Sequence, residues 1–364
     1  LANQLLFLAG LYKFGDINNN ELLIINLAAV RAGRISNTSS SPSLDVTCKQ
    51  NTTIMRKFAS FILTILIFTT SYGQETETVY LNVNDRSSNF YIIVYPPKIP
   101  WTGFIFLIPG MFQKAQDVLT QSELPKYAAQ QGILTIIPTF KTGISSFGVD
   151  TATQASFLDM LHSVTTRHKL IDQRFYIGGF SIGGTCALKY AELSISNNYP
   201  IKPSAVFAID APLDFERMYN TTTRELRFPN TTKDIQEENN YMLKRFKEEF
   251  DGTPVEALHN YRELSPYSFS DTTQQAIKPL INLPIRLYTE PDVLWWLAEG
   301  VDYSGMNAYD LAALTNELKR MGNRKITFIT TTNKGYRKPD NKRHPHSWSL
   351  AEPTDLVKWL LAQK

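Results

Sequence analysis

The sequence predicts an α/β fold: a mostly parallel central sheet of about eight strands, helices on both faces and a helical cap insertion late in the chain. Three observations carry this. Strand-like apolar runs alternate with helical stretches from Glu77 onward. Two of the runs, WTGFIFLIPG (101–110) and ILTIIPTF (133–140), are apolar almost throughout, as strands buried on both faces are. The interval 211–281, between two late strands, is too long for a plain loop.

The elements follow in order. TVYLNVND (78–85) and FYIIVYPP (90–97) read as strands joined by a hairpin-like link at Arg86-Ser-Ser. After 101–110 comes a helical stretch from Leu119 to Gln131, then 133–140. Thr151 to His168 is predicted helical, with Phe157, Met160, Leu161 and Val164 on one face. RFYIGG (174–179) is a strand, followed by a helix from Ser181 to Leu193 and the strand SAVFAID (204–210). Within 211–281, KDIQEENNYMLKRFKEEF (233–250) repeats Met242, Phe246 and Phe250 at helical spacing: an amphipathic helix that can rest on the domain and cap a site. Strand 284–290, helix 309–322, strand 325–332 and helix 353–363 complete the chain.

The first Met is Met55, and it opens a segment built like an export signal. Arg56 and Lys57 precede an apolar run from Phe58 to Thr70, and Ser71-Tyr72-Gly73 is a small-x-small cleavage site. The apolar run is shorter than the ~20 residues a spanning helix needs, so no stable membrane anchor is expected. The expected organisation is 1–54 as translated upstream sequence, 55–73 as signal peptide and 74–364 as the folded domain. Cleavage near Gly73-Gln74 would leave a secreted or periplasmic product.

Residues 1–73 hold six of the 37 Lys and Arg and three of the 34 Asp and Glu, so the remaining chain is formally neutral. That balance excludes a basic nucleic-acid footprint. Cys186 is the only cysteine of 74–364, so the domain relies on its core and not on an internal disulfide; Cys186 itself reads as a small buried filler.

The most informative stretch is IGGFSIGG (177–184). A phosphate loop would need Lys followed by Ser or Thr after its last glycine, and none follows. A dinucleotide fingerprint belongs on the first strand–helix turn, with an acid about 20 residues on; here the glycines end the fifth strand and that acid is missing. Gly179-Phe-Ser181-Ile-Gly183 instead matches the G-x-S-x-G nucleophile elbow, with a strand before it and a helix after it. Such a turn strains the serine backbone, exposes its Oγ and leaves no room for Cβ atoms at the flanking glycines.

On this motif and the order of elements, the chain resembles the α/β-hydrolase superfamily over the whole of 74–364. Its GFSIGG run is similar to secreted esterases and dienelactone-hydrolase-like enzymes. The resemblance implies two antiparallel strands at the start of the sheet, a cap after the sixth strand, and a catalytic order of Ser, acid, His.

Ser181 is then the expected nucleophile, and a serine hydroxyl needs a base within hydrogen-bond reach. Only His344 and His346 follow the last strand, in Lys342-Arg-His-Pro-His-Ser-Trp348. Resemblance to hydrolases with a His-Ser/Phe-Trp-like ending favours His346, with His344 the alternative. In an extended segment the two side chains would point to opposite sides, with Trp348 on the side of His346. His162, His168 and His259 precede the expected acid and read as structural. For the acid, Thr289-Glu-Pro-Asp292 fits the family's Gly-x-x-Asp strand ending with Thr for Gly, which favours Asp292; Glu290 and Asp210 are the alternatives. Ile182 N–H comes with the elbow as one oxyanion donor, and the turn Pro109-Gly-Met111-Phe112 offers Met111 N–H as the second, with Pro where the family commonly has His. Phe112, Trp295 and Trp296 are candidates to line the substrate pocket.

No His/Cys/Asp cluster has metal-ligand spacing, so no metal and no cofactor is expected. The leading function is a secreted serine hydrolase that cleaves a carboxylic ester, of a small molecule or linked to a carbohydrate, through an acyl-enzyme. A serine peptidase of the same fold is the runner-up. An inactive binding protein on a hydrolase scaffold is the non-enzymatic alternative.

Overall fold

The computed structural model describes residues 75–97, 100–228 and 233–363. The expected upstream segment, the signal peptide and the cleavage site at Gly73-Gln74 lie outside the described residues. No helix among the described residues is long and apolar enough to cross a membrane.

The sheet has eight strands: β1 (Thr76–Tyr80), β2 (Phe90–Val94), β3 (Gly103–Ile108), β4 (Ile133–Thr139), β5 (Phe175–Phe180), β6 (Ala205–Ile209), β7 (Ile285–Thr289) and β8 (Ile326–Thr330). Their spatial order is β1-β2-β4-β3-β5-β6-β7-β8. β2 runs antiparallel to both β1 and β4, and every other pair is parallel. Every residue of β2 through β6 is buried, which is why these strands read as continuous apolar runs. The first strand is shorter than its sequence suggests. The Asp85 carboxylate accepts from Ser87 N (2.9 Å) and Ser88 Oγ (3.0 Å), which folds the link between β1 and β2 into a turn.

Helices cover both faces. α1 (Ala115–Gln121) and α2 (Leu124–Gln130) replace the single helix expected over 119–131. The break falls at Ser122, whose Oγ accepts from Leu124 N, and Pro125 sits in the first turn of α2, where its missing N–H costs nothing. α3 (Thr151–His168) is N-capped by Asp150, which accepts from Thr153 N at 2.8 Å. It lays Phe157, Met160, Leu161 and Val164 on one sheet face, together with α4 (Ile182–Ser196). The opposite face is packed by Ala128 of α2, by Trp348 and by residues after it.

The insertion after β6 contributes α5 (Phe215–Glu225), α6 (Lys233–Glu249) and α7 (Leu258–Leu264). Met242, Phe246 and Phe250 are fully buried, as their spacing predicts. They form a third apolar cluster with Phe147, Phe215 and Tyr261, and that cluster includes Met111 and Ile182. Phe147 stacks on Phe246 with centroids 4.7 Å apart, and Phe250 on Tyr261 at 4.4 Å. The charged helix therefore turns its aromatic face onto the two residues expected to supply the oxyanion donors. After β7 come α8 (Val293–Ala298), α9 (Asn307–Arg320) and α10 (Pro353–Leu361). Arg217 of α5 grips Asp310 of α9 through Nε and Nη2 at 2.6 and 2.7 Å, a buried, bidentate pair at the root of the insertion.

Candidate active site

Ser181 stands at the tip of the turn from β5 into α4 with φ 53° and ψ −129°, a strained conformation for a residue with a side chain. Two flanking positions have no room for a Cβ. One on Gly183 would meet the Ile108 carbonyl and come within 2.5 Å of that of Pro109; one on Gly179 would strike the Ile108 carbonyl and Gly183 itself. The turn is thus pressed against the end of β3 as well as against itself. Ser181 N–H donates to Ile209 O at 2.8 Å, which joins the turn to the end of β6.

The loop after β3 lies beside the serine: a methyl on Gly110 would be 3.3 Å from Ser181 Cβ. Phe112 adopts φ 62° and donates its N–H to Ile144 O (2.6 Å), while Gly110 N–H donates to Gln113 Oε1 (3.0 Å). Met111 N–H, between them, makes no hydrogen bond among the described residues. Ile182 opens α4, where the first amides have no acceptor within the helix. Two backbone donors are therefore left around the serine, at the positions the sequence indicated. Behind this loop a cleft is lined by Met111, Ile182, Pro138, Phe140, Ile144 and Cys186. Cys186 is buried, and burial pushes its thiol pKa up, consistent with a filler.

The carboxylate that meets the histidine is not the favoured one. His346 Nδ1 lies 2.6 Å from Asp210 Oδ2, and both side chains are buried. Asp210 ends β6 with φ 46°; its other oxygen accepts from Thr289 Oγ1 at 2.6 Å, and its N–H donates to Tyr288 O at 2.7 Å. Asp292 instead caps α8 by accepting from Trp295 N (3.2 Å) and pairs with Arg343 Nη2 (2.6 Å). Glu290 pairs with the same guanidinium at 2.6 Å and accepts from Thr331 Oγ1, Lys334 N and Gly335 N. Asp292 and Glu290 are thus engaged by Arg343 and the loop that leads to the histidine, so the carboxylate beside His346 is Asp210, just after β6, and not one that follows β7.

His346 is held through its backbone, its Nδ1 and its ring. Its carbonyl accepts from Arg337 Nε and Nη2 at 3.1 and 2.9 Å, and its N–H donates to His344 Nδ1 at 3.1 Å. The ring rests on Phe180, centroids 4.3 Å apart, the residue before the serine. Trp348 packs on Phe180 at 5.7 Å and donates Nε1–H to Gln113 Oε1 at 3.2 Å, so Gln113 ties the histidine loop to the loop after β3. The segment is bent at Pro345–Ser347 and not extended, so the opposed arrangement of the two histidines does not form. His344 pairs with the backbone of His346 and not with a carboxylate; burial, with Arg337 beside it, pushes its pKa down to about 2.

The three pocket candidates separate. Phe112 faces the cap, 6.2 Å from the Tyr241 ring. Trp295 and Trp296 are half-buried and pack on His344 at 4.8 and 6.0 Å. His168 packs on Tyr95 and Trp101, and His259 pairs with Glu263 on the surface. The contacts made by Gln113, Thr289 and Arg337 are not readable from the sequence; Gln113 alone carries a signal, a polar residue next to the apolar Met111-Phe112.

No family model matches the chain, and no curated protein matches it in sequence. Among solved structures, S-formylglutathione hydrolase from Agrobacterium tumefaciens superposes with a TM-score of 0.50 at 12% identity, over 81% of this chain and 97% of that one. The chain has the α/β-hydrolase fold. An acylaminoacyl peptidase from Pyrococcus horikoshii also superposes at 0.50, with 14% identity over 82% of this chain but only 42% of that longer one. In this chain the serine turn, the insertion after β6 and the histidine loop gather at the C-terminal ends of the strands, where ligands of open α/β sheets bind.

Proposed function

We propose that this α/β-hydrolase is an exported serine hydrolase that cleaves a carboxylic ester through an acyl-enzyme. The observation that carries the reading is the 2.6 Å pairing of His346 with Asp210 beside a strained serine turn. Ser181 Oγ attacks the ester carbonyl while His346 Nε2 takes its proton. Asp210 holds the imidazole with Nδ1–H toward it and stabilises the imidazolium that forms. The oxyanion lies between Met111 N–H and Ile182 N–H. Collapse of the tetrahedral intermediate breaks the bond to the alkoxide, which leaves with the proton from Nε2. Water then attacks the acyl-serine with His346 again as base, releasing the carboxylic acid and restoring Ser181.

The aromatic face that the insertion turns onto Met111 and Ile182 supports an ester with an apolar part as substrate, and the half-buried Trp295 and Trp296 support a second apolar contact at the histidine side. Export rests on the segment from Met55 to Gly73; intact mass of the exported protein is expected to start at Gln74. The reading is tested by hydrolysis of p-nitrophenyl esters of rising acyl length beside aminoacyl amides. Ester cleavage that disappears in Ser181→Ala is expected. Dominant amide cleavage would instead make the chain a peptidase, and no cleavage with no fluorophosphonate labelling would make it a binding protein.

A further inference from the structure

The proposed catalytic steps leave His344 without a role, although its ring is closely engaged. Its Nδ1 accepts the N–H of His346 at 3.1 Å, and its own N–H donates to Gly335 O at 2.9 Å. The ring packs on Trp295 and Trp296 on one side and stands 6.3 Å from the His346 ring on the other. The bond from residue i+2 back to a side-chain acceptor is the pattern of an Asx turn, with the imidazole Nδ1 in place of Asn Oδ1. It bends the chain at Pro345, which has no N–H of its own to close the turn.

We propose that His344 is the positioning residue for the base: a neutral imidazole that fixes the backbone of His346 so that its ring bridges Asp210 and Ser181. This inference rests on the assignment of His346 as base. The backbone of His346 is gripped from both ends, its carbonyl by Arg337 and its N–H by His344, while Asp210 engages Nδ1. Only Nε2 remains for the serine. The accepting role requires Nδ1 to be unprotonated, and burial keeps His344 neutral throughout the range in which a histidine base works. The aromatic pair on α8 fixes the plane of the ring, so the acceptor points at one amide.

The test is steady-state ester hydrolysis by the full chain carrying His344→Asn, His344→Gln or His344→Leu, with His346→Ala as reference. Asn presents its oxygen where Nδ1 stands and is expected to keep kcat within about threefold of wild type. Leu has no acceptor, and Gln displaces its acceptor by one methylene; both are expected to lose about 10- to 100-fold in kcat with KM within about twofold, as misplaced catalytic groups do. Should Leu fail to fold, the Asn–Gln pair still decides, since both are polar amides. Equal losses in Asn and Gln, or wild-type kcat in Leu or Gln, would overturn the positioning role and leave His346 as base. Activity retained by His346→Ala would overturn the base assignment itself, and the positioning role with it.

Discussion

Asp210 and His346, 136 residues apart in the chain, meet at 2.6 Å with both side chains buried. The contact is built by strand register. Phe180 and Ile209 are the last paired residues of β5 and β6, so Ser181 and Asp210 each stand one residue beyond that pair. The histidine loop reaches these two adjacent strand ends: His346 meets Asp210, and its ring rests on Phe180, the residue before Ser181.

Asp210 is therefore the residue whose charge matters. Asp210→Asn is expected to lower kcat by about 10⁴-fold, because an amide favours the wrong imidazole tautomer and cannot stabilise the imidazolium. Asp292→Asn is expected to stay within a few-fold of wild type. Kinetics of the two variants side by side check the assignment; the opposite ranking would return the acid to β7.

Arg343 is expected to matter for stability. Its guanidinium is the ionic partner of Glu290, which is almost fully buried, and of Asp292. Arg343→Ala leaves that charge uncompensated and should cost about 3–5 kcal/mol, read by urea denaturation. Asp292→Asn, at the more exposed end of the same cluster, should cost less than about 1.5 kcal/mol.

Gln113 holds two buried donors with one oxygen, Gly110 N–H and Trp348 Nε1–H. In Gln113→Leu each loses its acceptor, at about 1–3 kcal/mol apiece. Denaturation should show the loss. Because the same oxygen braces the loop that carries Met111, kcat for ester hydrolysis should fall as well. A variant with unchanged kcat would separate that loop from oxyanion binding.

Glu249, at the end of α6, gives the cap a pH dependence. Burial raises its pKa to about 7, the nearby Asp150 charge adds to the rise, and Arg245 and the Phe147 N–H oppose it. A folded-state pKa above the unfolded value means the folded state binds more protons, so this contribution is complete below about pH 4.5 and is lost as pH rises through 7. Glu249→Gln keeps an acceptor for Phe147 N–H and should flatten stability against pH between about 5 and 8, a difference of about 2–3 kcal/mol over that window. Urea midpoints at several pH values measure it; identical slopes in both proteins would refute the effect.

Much of this molecule is legible in its sequence, for a local reason. IGGFSIGG dictates its own turn, and β2 to β6 announce themselves because burial on both faces leaves hardly any polar position, with Thr135 and Thr139 of β4 the exceptions. The acid was not legible in the same way. Thr289-Glu-Pro-Asp292 offers a plausible strand-end carboxylate, but its claim fails on Arg343, which lies 51 residues on and takes both acids. SAVFAID did carry a signal, an aspartate closing an apolar strand, and only the pairing of β6 with β5 gives it weight. His344 was likewise unreadable, since its role depends on a bend that an extended segment would lack.

The proposed mechanism stands on Ser181 as a nucleophile activated by His346. The most direct measurement is intact-mass and peptide-mapping analysis of the protein after exposure to a fluorophosphonate at neutral pH. The account predicts one phosphonyl adduct, on the peptide containing Ser181, abolished in Ser181→Ala and slowed by several orders of magnitude in His346→Ala. An adduct on another residue, or labelling of His346→Ala at the wild-type rate, would contradict it.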